Sequence, residues 1–202
     1  MKKTHRIATL LGAVALSLTA HAQEAADPVE RAVHVCASCH GDEGRSDKVM
    51  APSLAGQSRD YTIRQLSDFR NQSRAETDVQ AYMWGISALL DDKTIAGLAD
   101  YYAQQTPAAG RAAPARLAAV GRAIFERGIP AKGVRACASC HGDRAEGQAA
   151  FPRLAGQHAD YLYRQLRAFR TPLRPHGILM KKETLALTDA QLRAVAAYLQ
   201  SL

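Results

Sequence analysis

Apolar positions along this chain recur at helical spacing, and no stretch alternates convincingly in the manner of a strand. Asp27-Pro28 supplies an N-cap and a first helical residue for a helix directed at Cys36. Pro114 opens a longer counterpart, with Leu117, Val120, Ile124 and Phe125 expected on one face. Leu162, Leu166 and Phe169 mark another helix by their 3.6 period. A closing helix starts at Thr188, where Gln191 completes a capping box, and runs through Leu192, Val195 and Leu199. The pattern predicts an all-α protein.

The same elements occur twice. CASCHGD stands at Cys36–Asp42 and again at Cys137–Asp143. Pro52-Ser53-Leu54-Ala55-Gly56-Gln57 returns as Pro152-Arg153-Leu154-Ala155-Gly156-Gln157. Tyr61, Arg64-Gln65-Leu66 and Phe69-Arg70 return as Tyr161, Arg164-Gln165-Leu166 and Phe169-Arg170. The offset is 101 residues at the cysteines, 100 at the PxLAGQ segment and 97 at Met83 and Met180, a drift that small loop deletions explain. Units this long are tandem domains, since solenoid repeats are much shorter. Residues 107–115, rich in alanine and proline, suit a linker between domains at 23–106 and 116–202. Each domain is small enough that a cofactor or crosslink would help it fold.

Lys2, Lys3 and Arg6 precede an apolar run from Ile7 to about Leu18, which ends at Ala20-His21-Ala22. That order reads as a secretory signal peptide over residues 1–22, cut after Ala22. Its apolar run is short for a membrane anchor. The expected location is the periplasm. Removing the signal lowers the formal charge from +7 to +4, and no basic stripe interleaved with aromatics suggests a nucleic-acid partner.

All four cysteines belong to the two motifs. Cys-x-x-Cys alone could serve disulfide exchange, half a zinc site or an iron–sulfur cluster. The following histidine narrows the choice, because residues i, i+3 and i+4 share one helical face. Two thiols can then add to the vinyl groups of a haem while the imidazole reaches its iron, the attachment signal of c-type haem. Zinc would need a fourth ligand matched in both copies, and a redox dithiol normally follows a strand. Neither is evident. The reading is two covalent haem c groups, on Cys36 with Cys39 and on Cys137 with Cys140, and His40 and His141 as one axial ligand each. Met83 and Met180, matched in register, are the expected second ligands, with His176 a rival in the second copy.

In these motifs, in order and in both halves, the chain resembles the cytochrome c4 family, dihaem proteins of two class I cytochrome c domains. The resemblance covers essentially the mature chain. It implies the same ligand set and no catalytic residue. It also implies that the Pro52 and Pro152 carbonyls accept from the histidine Nδ1–H groups, and that Gly121 and Phe125 lie where the first and last helices cross. In the first copy Arg31 is expected at the glycine position, with a looser or differently packed crossing. A His/Met pair saturates the iron, which suits outer-sphere electron transfer and argues against oxygen or peroxide chemistry. The expected partners are redox proteins, a quinol-oxidising complex and a terminal oxidase. The expected protein is a monomer or homodimer, with peripheral membrane association among its allowed states. The competing readings are a haem subunit of a periplasmic dehydrogenase complex and, less favoured, a dihaem peroxidase.

Overall fold

A computed structural model describes residues 27–75 and 80–202; the export signal expected at 1–22 lies outside the described residues. These residues form helices α1 (Pro28–His40), α2 (Arg59–Arg70), α3 (Gln80–Ala88), α4 (Asp92–Ala103), α5 (Ala115–Arg127), α6 (Ala138–His141), α7 (Ala159–Ala168), α8 (Ile178–Leu185) and α9 (Asp189–Gln200). Only two isolated β-bridges, Ile129 with Val134 and Gln148 with Phe151, interrupt the helical pattern among the described residues. No helix among them is long and apolar enough to cross a membrane.

The caps are where local chemistry puts them. The Asp27 carboxylate accepts from Val29 N–H at 3.0 Å, and Pro28 occupies the first turn of α1. Asp91 caps α4 through Thr94 N–H at 2.7 Å. The capping box at Thr188 and Gln191 is complete, with bonds of 3.2 and 2.8 Å.

Each half is built on a crossing of its first and last long helices, α1 on α4 and α5 on α9. In the second half Gly121 brings α5 so close that a Cβ there would overlap the Ala194 carbonyl oxygen. Phe125 is fully buried beside Tyr198, ring centroids 5.6 Å apart. Ile124 shares that face, whereas Leu117 and Val120 are exposed: the buried stripe follows Gly121, Ile124 and Phe125. In the first half Val29 meets the last helix, and Arg31 is exposed. The close approach survives with its roles exchanged: Gly97 of α4 accepts the Val29 side chain where a Cβ would stand. Gly97 is the repeat counterpart of Ala194. One glycine per crossing suffices, on either helix.

The halves meet along a polar seam with approximate twofold symmetry. Gln57 Oε1 accepts from Arg153 N–H (2.8 Å) and its Nε2 donates to Arg153 O (3.0 Å). Gln157 does the same to Ser53, at 2.9 Å each way. Buried Arg74 donates to Gln65, Gln165 and the Tyr161 hydroxyl, while buried Arg174 donates to Gln165, Gln65 and the Tyr61 hydroxyl. Their guanidinium groups cover Phe69 and Phe169, at 4.4 and 4.1 Å from the ring centroids. Tyr61 and Tyr161 thus lie at the junction. Arg164 crosses it to the carbonyls of Val49 and Met50, and Arg64 is exposed. The linker is pinned as well: Arg111 bonds Gln200 O through its backbone and Ser46 O through its side chain.

Two outcomes follow. Gly121→Ala should destabilise the haem-loaded protein by about 2 kcal/mol or more, as overpacking against backbone does, whereas Gly85→Ala, with nothing within 4 Å of its Cβ position, should leave chemical denaturation unchanged or improved. His158 is buried at the seam, with Nδ1 3.3 Å from the Arg111 guanidinium and Nε2 without a hydrogen-bond partner. Burial first, and Arg111 second, hold its pKa below the ordinary histidine value against the opposing pull of the Ser46 backbone, Asp160 and Asp47. The unfolded chain therefore binds the proton more readily. Stability should fall as pH drops below about 6.5 toward the depressed folded value. His158→Gln should flatten that slope in urea titrations at pH 7 and 5.

Candidate functional site

The two Cys-x-x-Cys-His motifs are helical but are reached differently. In the first half CASCH is the last turn of α1. In the second, α5 ends at Gly128, a loop with the Pro130–Lys132 turn intervenes, and the motif forms the short α6 with Cys137 at its N-cap. Directly after each histidine a glycine takes positive φ, Gly41 at 76° and Gly142 at 83°. A Cβ at Gly41 would overlap the Arg45 carbonyl oxygen, so the reversal needs glycine twice over.

That reversal brings the PxLAGQ segments behind the imidazoles. His40 Nδ1 lies 2.8 Å from Pro52 O, and His141 Nδ1 lies 3.0 Å from Pro152 O. A carbonyl can only accept, so each Nδ1 carries the proton and each Nε2 keeps its lone pair free. Both rings are buried. Burial holds the His141 pKa below its ordinary value, with the Pro152 bond acting the other way. The imidazole is a neutral, oriented donor, which is what a metal ligand requires.

No disulfide joins any of the four cysteines. Burial pushes the Cys36 thiol up and the Cys137 thiol to about 11. Thiolate nucleophiles call for the opposite shift, so Cys36 and Cys137 are neutral S–H groups suited to a covalent partner. Tyr102 sharpens the fit. Its ring is 2 % exposed, and its hydroxyl faces Cys36 yet makes no hydrogen bond of good geometry. A thioether sulfur at Cys36 is purely an acceptor and would give this orphaned donor a partner. The residues present fit a covalently attached haem.

Tyr102 also distinguishes the halves. It packs on Gly44, where a Cβ would lie 2.8 Å from its Cδ1. The repeat counterparts are Leu199 and Ala145, both fully buried. A larger side chain in one half is matched by a smaller neighbour.

Met83 sits on α3 and Met180 on α8, both partly buried. Met180 O accepts from Thr184 Oγ1 at 2.9 Å. His176 is turned to the other half, its Nδ1 donating to Asp68 Oδ1 at 2.9 Å. Met50 lies at the seam against Arg164. The expectations missed Gln57, Gln157, Arg74, Arg174 and Tyr102. Four of these recur at a repeat offset of 100, a signal that polar seam residues share with the haem motif itself. Tyr102 is found by the opposite signal, a departure from repeat symmetry.

The cytochrome c family model matches residues 29–106 and 118–202. The chain is 40% identical over 174 residues to cytochrome c4 of Thiocapsa roseopersicina, covering 83% of this chain and 87% of that one. It is 37% identical over 207 residues to a thiosulfate dehydrogenase electron acceptor of Thiomonas intermedia, covering 98% and 90%. The solved cytochrome c4 of Acidithiobacillus ferrooxidans superposes with a TM-score of 0.75 at 37% identity, over 83% of this chain and 98% of that one. The chain belongs to the cytochrome c4 family: it is a dihaem c-type cytochrome, an electron-transfer protein rather than an enzyme, whose two haems are covalently bound.

The Gly44–Tyr102 pair predicts a measurable coupling. Gly44→Ala should destabilise the haem-loaded protein in urea. Adding Tyr102→Leu, which recreates the Ala145–Leu199 pair, should restore a large part of the loss, a coupling of about 1–3 kcal/mol. Additive effects would mean that the two sites pack independently.

Proposed function

We propose that Cys36 with Cys39 and Cys137 with Cys140 carry the two haems as thioethers, that His40 with Met83 and His141 with Met180 ligate the irons, and that the protein is a periplasmic carrier passing electrons from a quinol-oxidising complex toward a terminal oxidase. The observation that carries this reading is the paired bond from each histidine Nδ1–H to a proline carbonyl, made identically in two halves. When bound, each haem supplies a one-electron iron couple. The chain's residues do the rest. The proline carbonyls fix the tautomer and raise the electron-donating power of Nε2. The four cysteine sulfurs would tether the group covalently. Methionine on the opposite face would close the coordination and raise the potential, which fits delivery to a terminal acceptor. The engagement of His176 with Asp68 favours Met180 as the ligand of the second half. Export rests on residues 1–22, with cleavage after Ala22.

The surface charge suggests two unlike docking ends. Residues 27–106 hold twelve Asp and Glu against eight Lys and Arg, whereas 116–202 hold fourteen Lys and Arg against six acids. An acidic redox protein would be steered to the second half and a more basic one to the first. A second reading is favoured by the Thiomonas relative's description as a thiosulfate dehydrogenase electron acceptor: the donor would then be a dehydrogenase and not a quinol-oxidising complex.

Two c-type haems per chain should resist acid–acetone extraction. Met83→Ala and Met180→Ala should each remove half of the far-red band of sulfur–iron bonding and lower one potential, while His176→Ala leaves the band intact. Loss of the second-half signal in His176→Ala would reassign that ligand. Reduction of the protein by a quinol-oxidising complex but not by a thiosulfate-fed dehydrogenase decides the donor in favour of the first reading, and the converse decides it for the second.

A further inference from the structure

The glutamines of the seam do more than join two surfaces. Pro52 C=O and Ser53 N–H are the two ends of one peptide group. Its carbonyl accepts from His40 Nδ1–H at 2.8 Å, and its N–H donates to Gln157 Oε1 at 2.9 Å. The mirror arrangement holds in the second half: Pro152 C=O accepts from His141 at 3.0 Å, and Arg153 N–H donates to Gln57 Oε1 at 2.8 Å. Both glutamines are buried, and each Nε2 closes a second bond to the same cross-seam residue, so neither amide can turn away. We infer that Gln157 and Gln57 are cross-domain positioning residues, each polarising, through one shared peptide group, the carbonyl that holds the proximal histidine of the other half. The inference rests on the reading of His40 and His141 as iron ligands.

The physical chain has three links. A peptide whose N–H is accepted becomes a better acceptor at its carbonyl, a cooperative strengthening of about 10–30% per bond. A stronger bond at Nδ1–H gives the imidazole more anionic character and makes Nε2 a better donor. A better donor favours the ferric iron and lowers the potential. Losing the glutamine therefore acts in the opposite sense, and it acts across the seam. Each half is poised by an amide belonging to the other, so whatever separates the halves raises both potentials together.

The test uses the full haem-loaded chain. Gln157→Met keeps the length of the side chain and removes both polar atoms, and Gln57→Met is its mirror. Redox titrations are followed by the hyperfine-shifted haem methyl resonances, each set assigned to its half through contacts with neighbouring side chains. Gln157→Met should raise the reduced-to-oxidised ratio of the first-half haem by about threefold at fixed potential, about 30 mV at 59 mV per tenfold for one electron, with a smaller effect on the second. Gln57→Met should do the reverse. Arg164→Ala loosens the seam at Val49 and Met50 without touching either proline peptide, and should show no such crossed shift. A shift confined to the substituted half, equal shifts in both halves, or none would overturn the relay. If the unaltered protein shows no low-spin iron with histidine ligation, the ligand reading itself fails. If that spectrum is present and the crossed shift is missing, only the relay fails.

Discussion

An imidazole that offers one nitrogen to a metal carries its proton on the other, and an acceptor for that N–H fixes both tautomer and orientation. In a buried site that acceptor must come from the chain, and here it is one proline carbonyl in each half. Much of the local architecture follows from this constraint. The chain must reverse directly after the histidine, so glycine stands at 41 and 142 with positive φ. The returning segment must be held at a fixed depth, which Leu54 N–H and Ala55 N–H do by bonding Gly44 O, and Leu154 and Ala155 do at Ala145 O. Proline itself lends stiffness to the segment and offers no N–H that would need a partner there.

Much of this was legible in the sequence. CASCH, the PxLAGQ segment and their recurrence carry the site almost unaided, because they act through local geometry: helical spacing, a turn, a carbonyl. The capping box at Thr188 and the Asp27-Pro28 start were equally local. What escaped was relational. Nothing within the first copy says that Val29 meets the last helix, since that depends on where Gly97 lies on the partner. Leu117 and Val120 fit a helical stripe but are exposed. Arg74 and Arg174 look like ordinary surface charge until two halves enclose them. Periodicity states which face is apolar, not what stands opposite.

The two copies differ in a way that exposes the packing rules. Where they diverge inside a half, the change comes as a compensated pair: glycine moves from α5 to the opposing α4, and Tyr102 with Gly44 replaces Leu199 with Ala145. Interiors packed to crystal density permit little else, because an added ring or methyl must find room at its neighbour's expense. Along the seam, by contrast, Gln57 and Gln157, Tyr61 and Tyr161, Gln65 and Gln165, Arg74 and Arg174 stay matched. Each contacts its own counterpart's surroundings, so a change in one copy would have to be answered at two places.

A seam of this composition sets what the folding unit is. Buried guanidinium groups and amides are costly when left unpaired and contribute only when each donor finds its acceptor. In a separated half, Arg174 would lose Tyr61 and Gln65, and Gln57 would lose the Arg153 backbone. These groups would be rehydrated, but the segment carrying the histidine's acceptor would lose its outer brace. Apolar seams can slide by a residue at modest cost, whereas a network in which Gln65 and Gln165 each accept from both arginines fits one register only. The polar composition of the seam thus holds the two halves, and the Cys-x-x-Cys-His motifs they carry, in a fixed relation.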